Sequence, residues 1–501
     1  LSATPARRYL PPPQDDVATP SAAAFLAIGA VTSLEFFETG MVTFAAGPIM
    51  GGLGLGAEGL ALSFTVYAVA AIFMLYKHQW VVERWGYRNF TLVSLLLFAL
   101  GAIVCATADA LPQFLVGRVV QGAAGATFFT AGRLEVNRVP LQRRFRAAMS
   151  FISGLFTGSL LAPLAATWLI AAFDWRAVFW VVPPLAAVIA LLSHRHLSRR
   201  TAPHAERSEE HWGWLLALVL SLLALQLALH DLQFAASAGH ILAFGVPACL
   251  ALGLFAWRQW HKERPLIDYR ALFQWRYLIG LLFYFFGYFL SGATAFLLPI
   301  FAQEALGLSM AATAAVVSLS FAGGLLVALI HAVLARRWPR HRLYMLVGLV
   351  CAGLGNLLFS RLLPGVGWLA LLSPALLSGA AAALFFGPVA FNTFAGIDQR
   401  AFSHAYQVKN IVRQLGLSAA VAVSALLLQS PLVHRLGQLP GGSASAAAPA
   451  AWVAHLLGAG RAAAGSLPGH ALFVACSNTF LLLALLVLPA MLLAWWQKVF
   501  R

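Results

Sequence analysis

Charge is what this sequence has least of. Asp, Glu, Lys and Arg together make up 10% of 501 residues, against 61% hydrophobic, and the mean hydropathy is +0.81. A water-soluble chain of this length cannot cover its surface with so few charged groups, so a soluble globular protein is excluded and an integral membrane protein is implied. Cysteine is scarce too. Cys105, Cys249, Cys351 and Cys476 all fall in apolar runs with no metal-ligand spacing, which argues for reduced core residues and against a metal site. The sequence also lacks a phosphate-binding loop, a helix with paired histidines and a nucleophile beside a base, so nothing marks an enzyme or a bound cofactor. Acid is rarer than base, 17 residues against 33, for a formal net charge of +16. Such an excess raises a nucleic-acid partner, but the basic residues are divided among short segments between apolar runs, as cytoplasmic loops require. Topology accounts for the charge, and no nucleic acid is expected.

What is present is a series of apolar runs of about 20 residues, the length that crosses a bilayer as helix. They lie near 21–48, 59–80, 89–108, 112–134, 146–172 and 176–193, then 212–230 and 238–257, then 276–301, 309–335, 342–361, 367–392, 403–430 and 470–496, about fourteen in all. With the N-terminus placed inside, roughly 26 of the Lys and Arg residues fall on the cytoplasmic side and about four outside, an asymmetry that puts both termini in the cytoplasm. The count gives an all-α membrane fold of two six-helix bundles, 21–193 and 276–496, joined by a 194–275 linker holding two extra transmembrane helices. Residues 1–20 and 497–501 are cytoplasmic ends. The first apolar run is too long, and lacks the small-residue cleavage site, for a cleavable signal peptide. Residues 431–469, rich in Ala, Gly, Ser and Pro, form a long outer loop, either functional or disordered. Arg84-Trp85-Gly86-Tyr87-Arg88 after the second span is echoed by Arg337-Trp338-Pro339-Arg340 after the tenth, as internal duplication predicts.

Two acids interrupt the first span. A charge near the bilayer centre costs about 2.5–3.5 kcal/mol on insertion scales, so such residues face a bundle interior and mark ion or substrate paths. Glu35 and Glu38, at i and i+3, share a helix face. They are either a structural ion-pair site that locks two helices or part of a transport path.

Several motifs occur in order. After the second span stands Gln79-Trp80-Val81-Val82-Glu83-Arg84-Trp85-Gly86-Tyr87-Arg88. The fourth span carries Arg118-Val119-Val120-Gln121-Gly122, and the fifth Gly158-Ser159-Leu160-Leu161-Ala162-Pro163-Leu164-Ala165-Ala166. Later come Leu298-Pro299 with Gln303, Glu304 and Gly307, then Phe386-Gly387-Pro388, then Asn410-Ile411-Val412-Arg413-Gln414-Leu415-Gly416. From about residue 25 to 430 the chain resembles the major facilitator superfamily, and within it the fourteen-helix drug:proton antiporters. The first stretch is similar to the superfamily loop G-x-L-a-D-R-x-G-r-k, the second to R-x-x-Q-G, and the third is a diluted form of the antiporter motif g-x-x-x-G-P-x-x-G-G.

The resemblance implies a proton-coupled exporter of drugs or small amphipathic metabolites in the bacterial inner membrane, with protons as the coupling ion. Glu38 takes the position of the family's intramembrane acid, and Arg118 is within bridging reach of it. Glu35, Glu38 and Arg118 are the proton-coupling candidates. Glu83, Arg84, Gly86, Arg88, Gly158 and Pro163 are the gating candidates. A substrate cavity is expected from Gln121, Tyr284, Tyr288, Phe289, Asn392, Lys409, Asn410 and Arg413. Of these, Tyr284 and Tyr288 share a face at i and i+4. Lys409 and Arg413 either snorkel to the interface or contact an anionic substrate or a second-half gate. Expected partners are membrane lipid, a small-molecule substrate and a periplasmic adaptor meeting the 431–469 loop near Trp452–Leu457. Two readings compete. One is a proton-coupled peptide importer, whose E-x-x-E-R motif meets Thr39 here where it needs arginine. The other is a membrane enzyme.

Overall fold

A computed structural model describes residues 22–197, 201, 207–233, 238–398, 401–429, 469–497 and 500. Of the expected outer loop, residues 431–468, with the expected adaptor contact, lie outside the described residues, as does the segment 1–20. Long helices run over Ala22–Phe44 (α1), Ala57–Ala106 (α2), Leu111–Arg138 (α3), Leu141–Ala172 (α4), Val182–Ser193 (α5), Trp212–Gln233 (α6) and Ala238–His261 (α7). They continue over Trp275–Ile300 (α8), Met310–Arg337 (α9), His341–Ser360 (α10), Leu372–Thr393 (α11), Phe402–Gln429 (α12) and Gly469–Trp496 (α13).

Eleven helices among the described residues are long and apolar enough to cross a membrane. The fourteen expected crossings coincide with helical segments, but three need a separate argument. The 50-residue α2 is two rods, because Gly86 interrupts it at φ 75°, a left-handed backbone that glycine adopts without a Cβ clash. The motif glycine is therefore the turn between the second and third spans. Helix α3 carries too much polarity for the same criterion, and the sixth span is a shorter apolar stretch, Ala177–Ser193.

Small residues decide which helices touch. A Cβ on Gly122 would run into the Tyr67 backbone, and one on Gly158 into the Ser33 carbonyl. The R-x-x-Q-G glycine thus seats α3 on α2, and the fifth-span motif seats α4 on α1, beside the two acids. In the second part of the chain α9 and α10 both pack on α11, and α8 packs on α12. Two seams join the two groups of helices. At one, α4 meets α9 through Phe156 and Ala328, with Ala383 of α11 in the same cluster, and through a hydrogen bond from Ser318 Oγ to the Leu160 carbonyl of 2.8 Å. At the other, α12 lies against α2 and α3 and reaches α1 through the Arg413 side chain. The pair α6 and α7 sits outside this second seam, α6 against both α2 and α12, and only 11% of the apolar window of α7 is buried.

Candidate functional site

The apolar length of α1 carries its two acids to a depth that water does not reach: Glu38 is 0% exposed and Glu35 3%. A buried carboxylate is tolerated only with a compensating charge or donor, and each has one. Arg118, itself 0% exposed, donates from Nη1 to Glu38 Oε1 at 2.6 Å. The same nitrogen donates to Gln121 Oε1 at 2.9 Å, because residues three apart lie side by side on a helix. The guanidinium also sits 4.5 Å from the Tyr67 ring centroid, a cation–π distance. The R-x-x-Q-G motif is thereby explained residue by residue: arginine for the acid, glutamine to hold the arginine, glycine to let α2 approach.

Glu35 behaves differently. Its Oε1 accepts from Arg413 Nη2 of α12 at 2.5 Å, so the two acids of one helix face are answered from opposite parts of the chain. Each pair uses one carboxylate oxygen; Oε2 of Glu35 and of Glu38 is buried without a hydrogen-bond partner. Arg118 likewise keeps Nε and Nη2 unpartnered, and Gln121 its Nε2. The cluster holds acceptors and donors in reserve.

One turn before Arg413 lies Lys409, 2% exposed, so neither residue snorkels. The Lys409 ammonium donates to Asn410 Oδ1 at 2.9 Å, and Asn410 Nδ2 donates to Thr130 Oγ1 of α3 at 2.6 Å. Four rings surround that ammonium, with centroids at 4.2 Å (Phe129), 4.7 Å (Tyr406), 5.3 Å (Tyr284) and 5.5 Å (Tyr288). Tyr284 and Tyr288 stack with centroids 5.9 Å apart, as their spacing predicts. Phe289 is not among these rings; it stacks on the outward-facing Phe285. Asn392 is also elsewhere, buried and donating to the Pro388 carbonyl of its own helix. Phe129, Thr130 and Tyr406 belong to the cluster but were not singled out from sequence. Tyr406 had a local signal, three residues before Lys409 on the same face, whereas Phe129 beside Phe128 reads as ordinary packing.

The Gly86 turn carries the gating candidates. Glu83 Oε2 accepts from the backbone N–H of Ser208 at 2.7 Å and from its hydroxyl at 2.8 Å. Arg84 returns the contact, donating to the Ser208 carbonyl at 2.9 Å, and its ion pair with Glu83 is long at 3.9 Å. The partner of this acid is therefore a serine of the linker. The linker is pinned again two residues on, where Glu210 meets Lys262 at 3.0 Å and Arg258 at 3.4 Å. Burial pushes the Glu210 carboxyl up, but the His211 N–H, Lys262 and Gln259 outweigh it and hold it below its ordinary value. Gln79, which stands where the motif begins with glycine, accepts from Ser403 Oγ of α12 at 2.6 Å. Arg88 is half-buried and makes no hydrogen bond or ion pair among the described residues. Gly158 lies on the α1–α4 contact, against Ser33, away from this turn, and Pro163 further along α4 leaves its carbonyl to the Thr167 hydroxyl at 2.9 Å.

A family model described as Major Facilitator Superfamily matches residues 28–421. Curated relatives named multidrug resistance protein MdtD are similar along most of the chain. That of Cronobacter sakazakii is 26% identical over 410 residues, covering 79% of this chain and 83% of its own. That of Serratia proteamaculans is 26% identical over 392 residues, covering 77% and 80%. Among solved structures, the POT family transporter PepTSo superposes with a TM-score of 0.61 at 13% identity, over 95% of this chain and 99% of its own. At that identity the likeness is one of fold.

Proposed function

The chain belongs to the major facilitator superfamily and is a multi-pass membrane transporter, and from that premise we propose that it is a proton-coupled antiporter exporting small amphipathic molecules. Export is favoured by the relatives named for multidrug resistance and by the tight α1–α4 contact built from the antiporter-like stretch around Gly158. The lysine and arginine distribution favours fourteen crossings of a bacterial inner membrane with both ends in the cytoplasm. The two six-helix bundles, 21–193 and 276–496, rock against each other around the polar cluster, and α6 and α7 ride outside. An adaptor contact at the 431–469 loop belongs to the same proposal.

The observation that carries the reading is the pair of buried acids, each held by one arginine through one oxygen. Protonating such a carboxylate removes its ion pair. Glu38 and Arg118 both belong to the first bundle, so Glu38 is a proton site that travels with that bundle. The Glu35–Arg413 pair crosses between bundles, so its making and breaking is tied to the rocking motion. Gln121 holds Arg118 while Glu38 is neutral. One proton moving down 100 mV supplies about 2.3 kcal/mol, and each pH unit about 1.4, enough for a substrate gradient of about a hundredfold or more.

Proteoliposomes with an imposed pH difference test this. Glu38→Gln protein is expected to fold and bind substrate while losing proton-driven accumulation. Accumulation against the gradient by that variant, driven by the pH difference alone, would remove Glu38 as the coupling acid.

A further inference from the structure

Resting on the transporter reading, we propose that Lys409 is the substrate-selecting residue and that the molecule carried bears a carboxylate on a planar aromatic ring. Two acids and two arginines of the interior neutralise one another pairwise. Lys409 is left over. It is 2% exposed, no carboxylate of the described residues lies within ion-pair distance, and its one hydrogen bond goes to the neutral Asn410 amide. The faces of Phe129, Tyr406, Tyr284 and Tyr288 stand around it, and each such contact contributes only about 0.5–2 kcal/mol. A buried cation supported by rings and one neutral amide lacks what buried cations ordinarily have, an anionic partner that also accepts hydrogen bonds. Asn410 is tied to Thr130 of α3, so the two groups that face the missing anion come with a bond across the bundles.

The rings supply the second half of the chemistry. Parallel Tyr284 and Tyr288, 5.9 Å apart, continue into Phe386, tilted by 31° with its centroid 4.5 Å from Tyr288, a row of rings with the ammonium over the two tyrosines. Such rings would otherwise suit a lipophilic cation, but their electron-rich faces are already occupied by the chain's own cation. Lys409 thus turns a cage fitted to cations into one that rejects them and accepts an aromatic acid.

The test is equilibrium binding to purified protein in detergent, with naphthalene-2-carboxylate, its neutral carboxamide and tetraphenylphosphonium as probes. Wild-type protein is expected to bind the carboxylate saturably and at least about tenfold more tightly than the carboxamide, the difference made by one charged hydrogen bond. Lys409→Met is expected to abolish that preference, leave the carboxamide unchanged and gain affinity for tetraphenylphosphonium. If Lys409→Met does not fold, as judged by its thermal transition, Lys409→Gln carries the same expectation. A wild-type protein that binds the carboxylate no better than the carboxamide, or a folded neutral variant that keeps the preference, overturns the proposal. No proton gradient enters the measurement. A protein that binds through Lys409 and transports without moving protons therefore refutes the coupling reading alone.

Discussion

The two ion pairs on α1 are alike in chemistry and opposite in placement. Glu38 and Arg118 are both fully buried and both carried by helices that precede the linker; Glu35 and Arg413 are nearly as buried, but 378 residues separate them. One pair is part of how the first group of helices holds itself together, and the other part of how the two groups hold each other. A transporter that moves by rocking needs interactions of the second kind to break and re-form as the two groups part, whereas those of the first kind can respond to a proton without parting them. The sharpest way to break the comparison is to delete each arginine. Arg118→Ala strands Glu38 among packed helices, at a cost of about 3–5 kcal/mol. Arg413→Ala strands Glu35 at the seam that the proposed rocking would open to water, so its cost is expected to be smaller. Thermal unfolding in detergent measures both, and equal losses would mean that the pairs do not differ as described.

A gentler change sharpens the same comparison. Glu35→Gln keeps the shape of the side chain and removes the charge across the seam, so the two groups of helices should part more often. Gln79→Cys with Ser403→Cys, at positions whose side chains are hydrogen-bonded now, reports this in a background without the four native cysteines. Glu35→Gln is expected to slow disulfide formation several-fold, and Glu38→Gln to leave it unchanged. The same slowing in both variants would erase the distinction between the pairs.

How much of this was legible in sequence follows from the same division. The spans were legible because bilayer thickness fixes helix length, and the Glu38–Arg118 contact because both sit at comparable depth in neighbouring spans of a known motif. Gly86 was legible as part of the loop motif, and its left-handed backbone shows the local reason for a glycine there. The Glu35–Arg413 pair was not, since helical spacing says only that Glu35 and Glu38 share a face. A face is wide enough for α3 to meet one residue and α12 the other. For Lys409 the sequence left snorkelling and an inward position both open, and that it lies inside depends on the rotation of α12, which packing sets. Ser208 had no signal at all, being an ordinary serine in a charged linker. Its contact with Glu83 yields the smallest expected effect. Ser208→Ala removes one hydroxyl hydrogen bond worth about 0.5–1.5 kcal/mol, while the backbone N–H still serves Glu83. Turnover is expected to change about twofold with unchanged substrate affinity, measured as transport at saturating substrate. A loss of affinity instead would place this loop in the binding site.

The position of α6 and α7 bears on how a solute arrives. By lying over α2 and α12, α6 screens one junction between the two groups of helices from the acyl chains, with α7 packed on it. At the other, Leu161, Leu164 and Trp168 of α4 and Leu326 and Ile330 of α9 are open to the surroundings. The bilayer thus meets the junction from one flank. If the solute is amphipathic, as proposed, and comes from the leaflet, a sideways path among the described residues leads between α4 and α9, where Phe156 and Phe321 stand in its way.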